Sequence, residues 1–180
     1  MTELSTALQR VTTRYKREAS GPVQRDLSHV PPDVVADPIS LLSAPFELDL
    51  DAVELAMQTM QIDADALGFA VCEDDACYVR TLLYRDEYVE MLALTWKPGQ
   101  RSPVHDHGAS TCIVRVVGGA AQENLYAPRK VGDVKRRFWS RELKAGLVTR
   151  SPGKMTHSLG NDGDETLVTL HVYAPPLGRR

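Results

Sequence analysis

Two short stretches decide the fold of this chain: SPVHDHGAS (residues 102–110) and SPGKMTHSLGN (residues 151–161). The first carries His105 and His107, two positions apart. In an extended segment, residues i and i+2 lie on the same face, so both imidazoles can approach one metal ion. The second stretch adds His157 as a third candidate ligand. Three neutral imidazoles with open coordination positions suit a catalytic metal better than a closed structural one.

Around these two stretches, apolar and polar residues alternate with a period of two. Such segments, bounded by Gly, Pro, Asn or Asp, predict short strands. They cover residues 77–85, 88–96, 111–117, 120–126, 136–143, 147–150 and 165–174. No helical segment alternates with them, so a doubly wound parallel sheet is not expected. The pattern favours a mainly β sandwich or closed barrel.

The first third of the chain has a helical period instead. Apolar residues recur at spacings of three and four, at Leu4, Leu8, Val11 and Tyr15 and again at Val53, Ala56, Met57 and Met60. Asp51 followed by Glu54 predicts a capping box at the second helix. The proline-rich residues 19–45 predict mostly loop. We therefore expect residues 1–65 to form a helical cover and residues 66–180 the barrel, within one domain.

The composition excludes several classes of function. The 180 residues carry 21 Lys plus Arg against 24 Asp plus Glu, a net charge of −3. Such a mild balance argues against nucleic acid or an anionic membrane as the main partner. No apolar run approaches the ~20 residues of a membrane span, and the polar N-terminus shows no secretory signal. Three cysteines rule out a disulfide scaffold and indicate a reducing cytoplasm.

The spacing of the two histidine stretches resembles the paired motifs of the cupin superfamily, whose members are jelly-roll barrels. The first motif, Gly-x5-His-x-His-x3–4-Glu-x6-Gly, is matched over residues 99–119, with Cys112 in the position of the glutamate ligand. The second, Gly-x5-Pro-x-Gly-x2-His-x3-Asn, is matched over residues 146–161, with Lys154 where glycine is expected. The resemblance implies a cupin barrel, and the absent glutamate leaves three histidine ligands.

Other segments make the chain similar to one cupin family, the type I cysteine dioxygenases, over about residues 51–177. They are Tyr78-Val79-Arg80, Leu94-Thr95-Trp96, His105-Asp106-His107, Cys112 and TLHVYAPP (residues 169–176). In the last segment, threonine replaces the serine of the family's Ser-x-His-x-Tyr-x-Pro-Pro. The resemblance implies a cytoplasmic non-haem Fe(II) enzyme that oxidises L-cysteine to cysteine sulfinate with O2. Its metal ligands would be His105, His107 and His157.

The resemblance also implies a substrate pocket made of Tyr78, Arg80, Leu94 and Trp96. A period of two places Arg80 on one strand face with Tyr78, Leu82 and Tyr84. A guanidinium binds a carboxylate through two parallel hydrogen bonds. In the family, arginine at this position is typical of cysteine enzymes and glutamine of 3-mercaptopropionate enzymes. The residues alone leave open a surface arginine, and plain core roles for Leu94 and Trp96.

Thr169, His171 and Tyr173 share one face of the last predicted strand. A polar triple that faces a core needs hydrogen-bond partners, and a chain from hydroxyl to imidazole to phenol supplies them. The resemblance implies that this relay directs Tyr173 toward substrate or oxygen, and that Cys112 and Tyr173 can form a thioether crosslink. The residues alone also allow a solvated strand face, and a small buried apolar role for Cys112.

Three other functions remain open at this level. The first is a dioxygenase of another small thiol carboxylate, such as 3-mercaptopropionate. The second is a metal cupin that isomerises its substrate or oxidises carbon. The third is a non-catalytic cupin sensor, which the lack of a recognisable DNA-binding segment disfavours. Cysteamine is a poor candidate substrate, because it has no carboxylate for Arg80 to bind.

Overall fold

The computed structural model describes residues 23–26, 50–62, 77–127 and 136–178. Within these ranges it has one α-helix and nine β-strands. They are β1 (Val23–Asp26), α1 (Leu50–Thr59), β2 (Val79–Arg85), β3 (Glu90–Trp96), β4 (Thr111–Gly118), β5 (Ala120–Tyr126), β6 (Arg137–Lys144), β7 (Val148–Ser151), β8 (His157–Gly160) and β9 (Leu167–Ala174). The helix expected at residues 4–15 lies outside the described residues.

The strand pattern of the sequence is largely confirmed. Strands β2 to β7 and β9 agree with the predicted segments to within two residues at each end. Two strands were missed. β8 has only four residues, His-Ser-Leu-Gly, which show no alternation of polar and apolar types, and all four are buried. β1 lies within residues 19–45, which predicted mostly loop, and it pairs in parallel with β2, a distant partner that no local pattern reveals.

The strands form two sheets. The larger sheet has the order β1-β2-β3-β9-β4-β7, and the smaller has the order β6-β5-β8. Every pairing except that of β1 with β2 is antiparallel. Isolated bridges from Arg101 to Gly160 and from His105 to His157 tie the segment before β4 to β8 in the smaller sheet. This two-sheet antiparallel arrangement is the one expected for a jelly-roll barrel.

Two apolar clusters lie on opposite faces of the larger sheet. The barrel core, between the two sheets, includes Leu94, Trp96, Cys112, Leu143, Leu159 and Tyr173. The outer core, on the other face, includes Val53, Met57, Met91, Ile113, Leu170 and Val172. Because side chains on a strand alternate between faces, β3, β4 and β9 supply residues to both clusters. Functional side chains of these strands therefore project either into the barrel or under α1.

Helix α1 covers the outer core, as its apolar period predicts, with Val53 and Met57 buried. The predicted cap is wrong in detail. The helix begins at Leu50, so Asp51 lies in its first turn, and the carboxylate of Asp51 contacts Arg150 of β7. At the other end of the helix, Arg115 of β4 donates hydrogen bonds to two main-chain carbonyls that the helix leaves without internal partners. Side chains from the barrel thus fix both ends of α1.

No helix in the described ranges is long and apolar enough to cross a bilayer. The division of the chain at residue 65 stays a prediction, because residues 63–76 are outside the described ranges.

Candidate active site

Three histidines converge inside the barrel. His105, His107 and His157 each offer a ring nitrogen, and these three atoms all lie within 4.8 Å of one another. The Nε2 atoms of His107 and His157 are 3.3 Å apart. His107 and His157 are buried, and His105 is half-buried. The structure therefore brings together the three candidate ligands that the sequence proposed, although they come from stretches fifty residues apart.

The main chain holds the two histidine stretches against each other. His105 and His157 exchange backbone hydrogen bonds of 2.9 and 2.8 Å, and the N–H of His107 donates to the carbonyl of Gly153 at 2.7 Å. A Cβ at Gly153 would lie 2.3 Å from the carbonyl oxygen of Gly108. Glycine is thus needed at 153 for the close approach, one place earlier than the cupin motif predicts, and Lys154 can replace the motif's glycine.

The residue between the first two histidines shapes the loop. The carboxylate of Asp106 accepts a hydrogen bond from the main-chain N–H of Gly108 at 3.0 Å. This local turn is typical of aspartate two residues before the donor. Asp106 is exposed and does not belong to the histidine group.

The histidine group fits a metal ion by its protonation state. Burial, and then the neighbouring His157 and His105, lower the pKa of His107 to about 3. The Nδ1 of His105 faces the carbonyl oxygen of Pro103 at 2.8 Å. Since a carbonyl only accepts, this Nδ1 carries the proton and the lone pair is on Nε2. Neutral imidazoles of this kind are the form that binds a divalent metal.

A buried carboxylate supports the third histidine, and sequence reasoning missed it. Glu123 of β5 is 1% exposed. It lies 2.9 Å from Nδ1 of His157 and 2.7 Å from the guanidinium of Arg141. Burial would raise the pKa of Glu123, but the hydrogen bonds from His157 and Arg141 outweigh burial and lower it. The available signal was a single charged residue at an inward position of a predicted strand.

The polar side chains of β9 are buried and form a chain of hydrogen bonds. The indole N–H of Trp96 donates to Oγ1 of Thr169 at 2.9 Å, and this oxygen lies 2.8 Å from Nε2 of His171. Nδ1 of His171 is 3.3 Å from the hydroxyl of Tyr173. All four side chains are at most 5% exposed, so the solvated strand face is wrong. Burial, and then the charge of Arg80, hold the pKa of His171 well below its ordinary value.

Cys112 and Tyr173 are directly opposite each other on β4 and β9. Sγ of Cys112 also lies 3.8 Å from Nδ1 of His171. Burial raises the pKa of the Cys112 thiol, and the pKa of Tyr173 is raised by burial and then by Cys112. A thiol that resists ionisation is a poor metal ligand. The cysteine in the place of the cupin glutamate thus lies outside the histidine group, beside the tyrosine.

The predicted pocket residues lie together on the barrel side of β2 and β3. The rings of Tyr78 and Trp96 stack with centroids 4.0 Å apart, and Arg80 is opposite Leu94 in the β2–β3 register. Nε of Arg80 is buried and has no hydrogen-bond partner in the part of the chain that the structure describes. The charge of Arg80 also lowers the pKa of His107. A half-buried cation with an unpaired donor therefore lies close to the histidine group.

One predicted member of this strand face is misplaced. Leu82 packs with Tyr78 against the barrel core, but Tyr84 packs against the outer core. A register shift between Leu82 and Tyr84 reverses the side chains beyond it. The hydroxyl of Tyr84 donates to Asp86 instead.

The fold is that of a cupin barrel, and its histidine group suggests a metal site. Two solved structures, both with a TM-score of 0.50, share the fold. A double-stranded β-helix protein from Klebsiella pneumoniae is 19% identical and covers 65% of this chain and 90% of its own. A protein from Bacillus halodurans is 16% identical and covers 77% of this chain and 86% of its own. The predicted fold class is confirmed.

The family is also shown. The model of the cysteine dioxygenase type I family matches residues 29–179, and the chain belongs to that family. Cysteine dioxygenase type 1 of Homo sapiens is 27% identical over 155 residues, which are 81% of this chain and 76% of the human protein. The Danio rerio protein is 29% identical over 157 residues, with 81% and 77% covered. These matches support an oxygenase-type enzyme, and the histidine group suggests a metal cofactor.

Proposed function

We propose that the protein is an Fe(II)-dependent thiol dioxygenase that converts L-cysteine to cysteine sulfinate with O2. The observation that carries the proposal is the pairing, in one barrel, of a three-histidine group with Arg80. The buried Nε of Arg80 has no hydrogen-bond partner among the described residues. Neutral imidazoles leave the full charge of the metal uncompensated, so an anionic thiolate is a favoured ligand. Arg80 offers a site for the carboxylate of the same molecule.

Iron suits this donor set because imidazole and sulfur together are ligands that Fe(II) accepts, although other divalent metals bind imidazole too. Bound iron would lower the pKa of the substrate thiol and activate O2. Both oxygen atoms of O2 are transferred to the sulfur, which becomes the sulfinate. We infer that His105, His107 and His157 hold the ion.

The buried hydrogen-bond chain supports a proposed role for Tyr173. An indole N–H only donates, so Oγ1 of Thr169 accepts from Trp96. In this proposal the hydroxyl of Thr169 directs its own proton to Nε2 of His171, which lies 2.8 Å away. A neutral His171 then carries its proton on Nδ1 and donates to the oxygen of Tyr173. The hydroxyl proton of Tyr173 is thereby left for a group inside the site. In this proposal it stabilises the charge that develops on the substrate and oxygen.

The remaining pocket residues restrict what can enter. The stacked rings of Tyr78 and Trp96 and the side chain of Leu94 form an apolar wall beside Arg80. Such a wall excludes water and strengthens the ion pair between Arg80 and a carboxylate. It suits a short thiol with a carboxylate. L-cysteine is the proposed substrate, and 3-mercaptopropionate, which carries the same two groups, is the nearest alternative.

The cellular setting follows from the chemistry. The thiol of Cys112 is free, and a thiol substrate and Fe(II) both favour a reducing compartment. We therefore propose a cytoplasmic enzyme whose partners are a small thiol and O2.

Turnover with a panel of thiols tests the proposal. Protein reconstituted anaerobically with Fe(II) should consume O2 with L-cysteine and release the sulfinate, detected by mass spectrometry. His157→Ala, which removes one proposed ligand, should consume none. A preference for 3-mercaptopropionate would move the substrate assignment to the alternative. No turnover with any small thiol, despite bound iron, would reject the dioxygenase and favour the sensor.

Replacing Arg80 tests carboxylate recognition. Hydrogen bonds to a charged group contribute about 1.5–3 kcal/mol, so Arg80→Gln should raise KM for L-cysteine by ~10- to 100-fold. KM for cysteamine should change little. Arg85→Gln, a control at the far end of the same strand where arginine pairs with Glu90, should leave both values unchanged. Equal increases for cysteine and cysteamine in Arg80→Gln would remove Arg80 from carboxylate binding.

We further propose that Cys112 and Tyr173 form a thioether, because they are cross-strand neighbours in the barrel. The bond joins Sγ to a ring carbon, and the two hydrogens lost are taken up by O2. Exposure to iron, thiol and O2 should therefore lower the intact mass by about 2 Da. Cys112→Ala and Tyr173→Phe serve as controls, and neither should lose mass by this route. An unchanged mass, with Cys112 still alkylatable after unfolding, would exclude the crosslink.

A further inference from the structure

The contact between Glu123 and His157 extends the candidate site beyond its three ligands. We propose that Glu123 is a positioning residue that fixes His157 with its proton on Nδ1, and so presents the Nε2 lone pair to the metal. The inference rests on the metal site of the proposed function. It concerns a carboxylate that lies outside the ligand group and behind one of its members.

The strand registers aim Glu123 at two partners at once. Glu123 of β5 is directly opposite Arg141 of β6, and it is one diagonal step from His157 of β8, which pairs with Leu125. One carboxylate oxygen, Oε1, lies 2.9 Å from Nδ1 of His157, and the other, Oε2, lies 2.7 Å from Arg141. Each oxygen therefore has its own donor.

Arg141 is itself held in place. It donates to Oγ1 of Thr149 at 2.6 Å, and its guanidinium lies 5.1 Å from the ring centroid of Trp139. A guanidinium that Thr149 and Trp139 hold in place leaves the carboxylate of Glu123 little freedom to rotate away from His157. The positive charge of Arg141 also compensates the buried negative charge of Glu123. Without a partner, a carboxylate at this depth would destabilise the fold.

The carboxylate decides where the imidazole proton lies. An ionised carboxylate only accepts hydrogen bonds, so Nδ1 of His157 must be the donor. The lone pair is then on Nε2, the atom that lies 3.3 Å from Nε2 of His107. A carboxylate behind a ligating histidine also makes the imidazole a stronger donor to the metal. The ligand group itself has no carboxylate, and Glu123 supplies that negative charge through His157.

Glutamine cannot satisfy both partners, which gives the proposal a sharp test. Arg141 only donates, so it demands the oxygen of the amide in Glu123→Gln. The NH2 group then faces His157, whose Nδ1 would have to accept, and the proton would move to Nε2, where it blocks metal binding. If the amide turns the other way, two donors meet at Arg141. Only glutamate offers an acceptor oxygen to both Arg141 and the protonated Nδ1 of His157.

Anaerobic titration with Co(II), followed by visible absorption, measures the effect on affinity. Glu123→Gln should bind Co(II) about 10- to 100-fold more weakly than the wild type, the usual effect of losing such a support. The matched control is Glu90→Gln. Glu90 is equally buried and paired with Arg85, but its carboxylate also binds the N–H of Leu177 and no candidate ligand. Its Co(II) affinity should match the wild type.

A double variant separates positioning from a loss of packing. In Glu123→Gln/Arg141→Met the amide oxygen no longer has to serve a guanidinium and can accept from His157. The double variant should therefore bind Co(II) more tightly than Glu123→Gln alone, although Arg141→Met alone weakens binding. A role in stability alone predicts the reverse order, since the double variant loses more contacts.

A measurement on the wild type covers the case in which the variants fail to fold. Long-range proton–nitrogen NMR of the Zn(II)-loaded protein should show Nδ1 of His157 protonated and Nε2 bound to the metal. Zinc on Nδ1, unchanged Co(II) affinity in Glu123→Gln, or no recovery in the double variant would each overturn the role of Glu123. Wild-type protein that binds neither metal would overturn the proposed metal site instead.

Discussion

Three imidazole rings meet at the centre of the barrel, and the rest of the site follows from the contacts that hold them there. Paired backbone hydrogen bonds between His105 and His157 bring the rings together. Burial then holds the pKa of His107 near 3, so it stays neutral throughout the physiological range. The bare backbone of Gly153 allows the two stretches to meet. These contacts cross from one sheet to the other, so the barrel must be closed before the site exists.

A neutral donor set beside a half-buried arginine makes the pocket electrostatically positive once a divalent ion is bound. An anionic substrate relieves that charge, and a thiol carboxylate can do so at both ends. Among the described residues, the buried acid and thiol nearest to the ligand group do not belong to it. Glu123 contacts His157 from behind, and burial keeps the thiol of Cys112 protonated. Cys112, in the position of the cupin glutamate, is thus consistent with a site in which the anionic metal ligand is the substrate and not a side chain.

Features that depend on local periodicity or on the spacing of motifs could be predicted from the sequence. The alternation of polar and apolar residues predicted most strands. The spacing of the two motifs predicted that His157 lies near His105 and His107. Contacts between distant segments could not be read in the same way. β8 is buried on both faces and has no period, the register shift in β2 turns Tyr84 outward, and Gly153 takes over a contact that the motif assigns to the next position. Glu123 was missed because its importance depends on two strand registers, neither of which is encoded locally.

The central claim is that one divalent ion is held by three histidines and by no other side chain of the protein. Anomalous diffraction at the iron absorption edge, on crystals of the Fe(II)-loaded protein grown without O2, tests it most directly. We expect one iron peak, at about 2.1 Å from a ring nitrogen of each of His105, His107 and His157, close to the usual length of a metal–imidazole bond. Iron bound elsewhere, or a fourth ligand from Cys112 or any carboxylate, would contradict it.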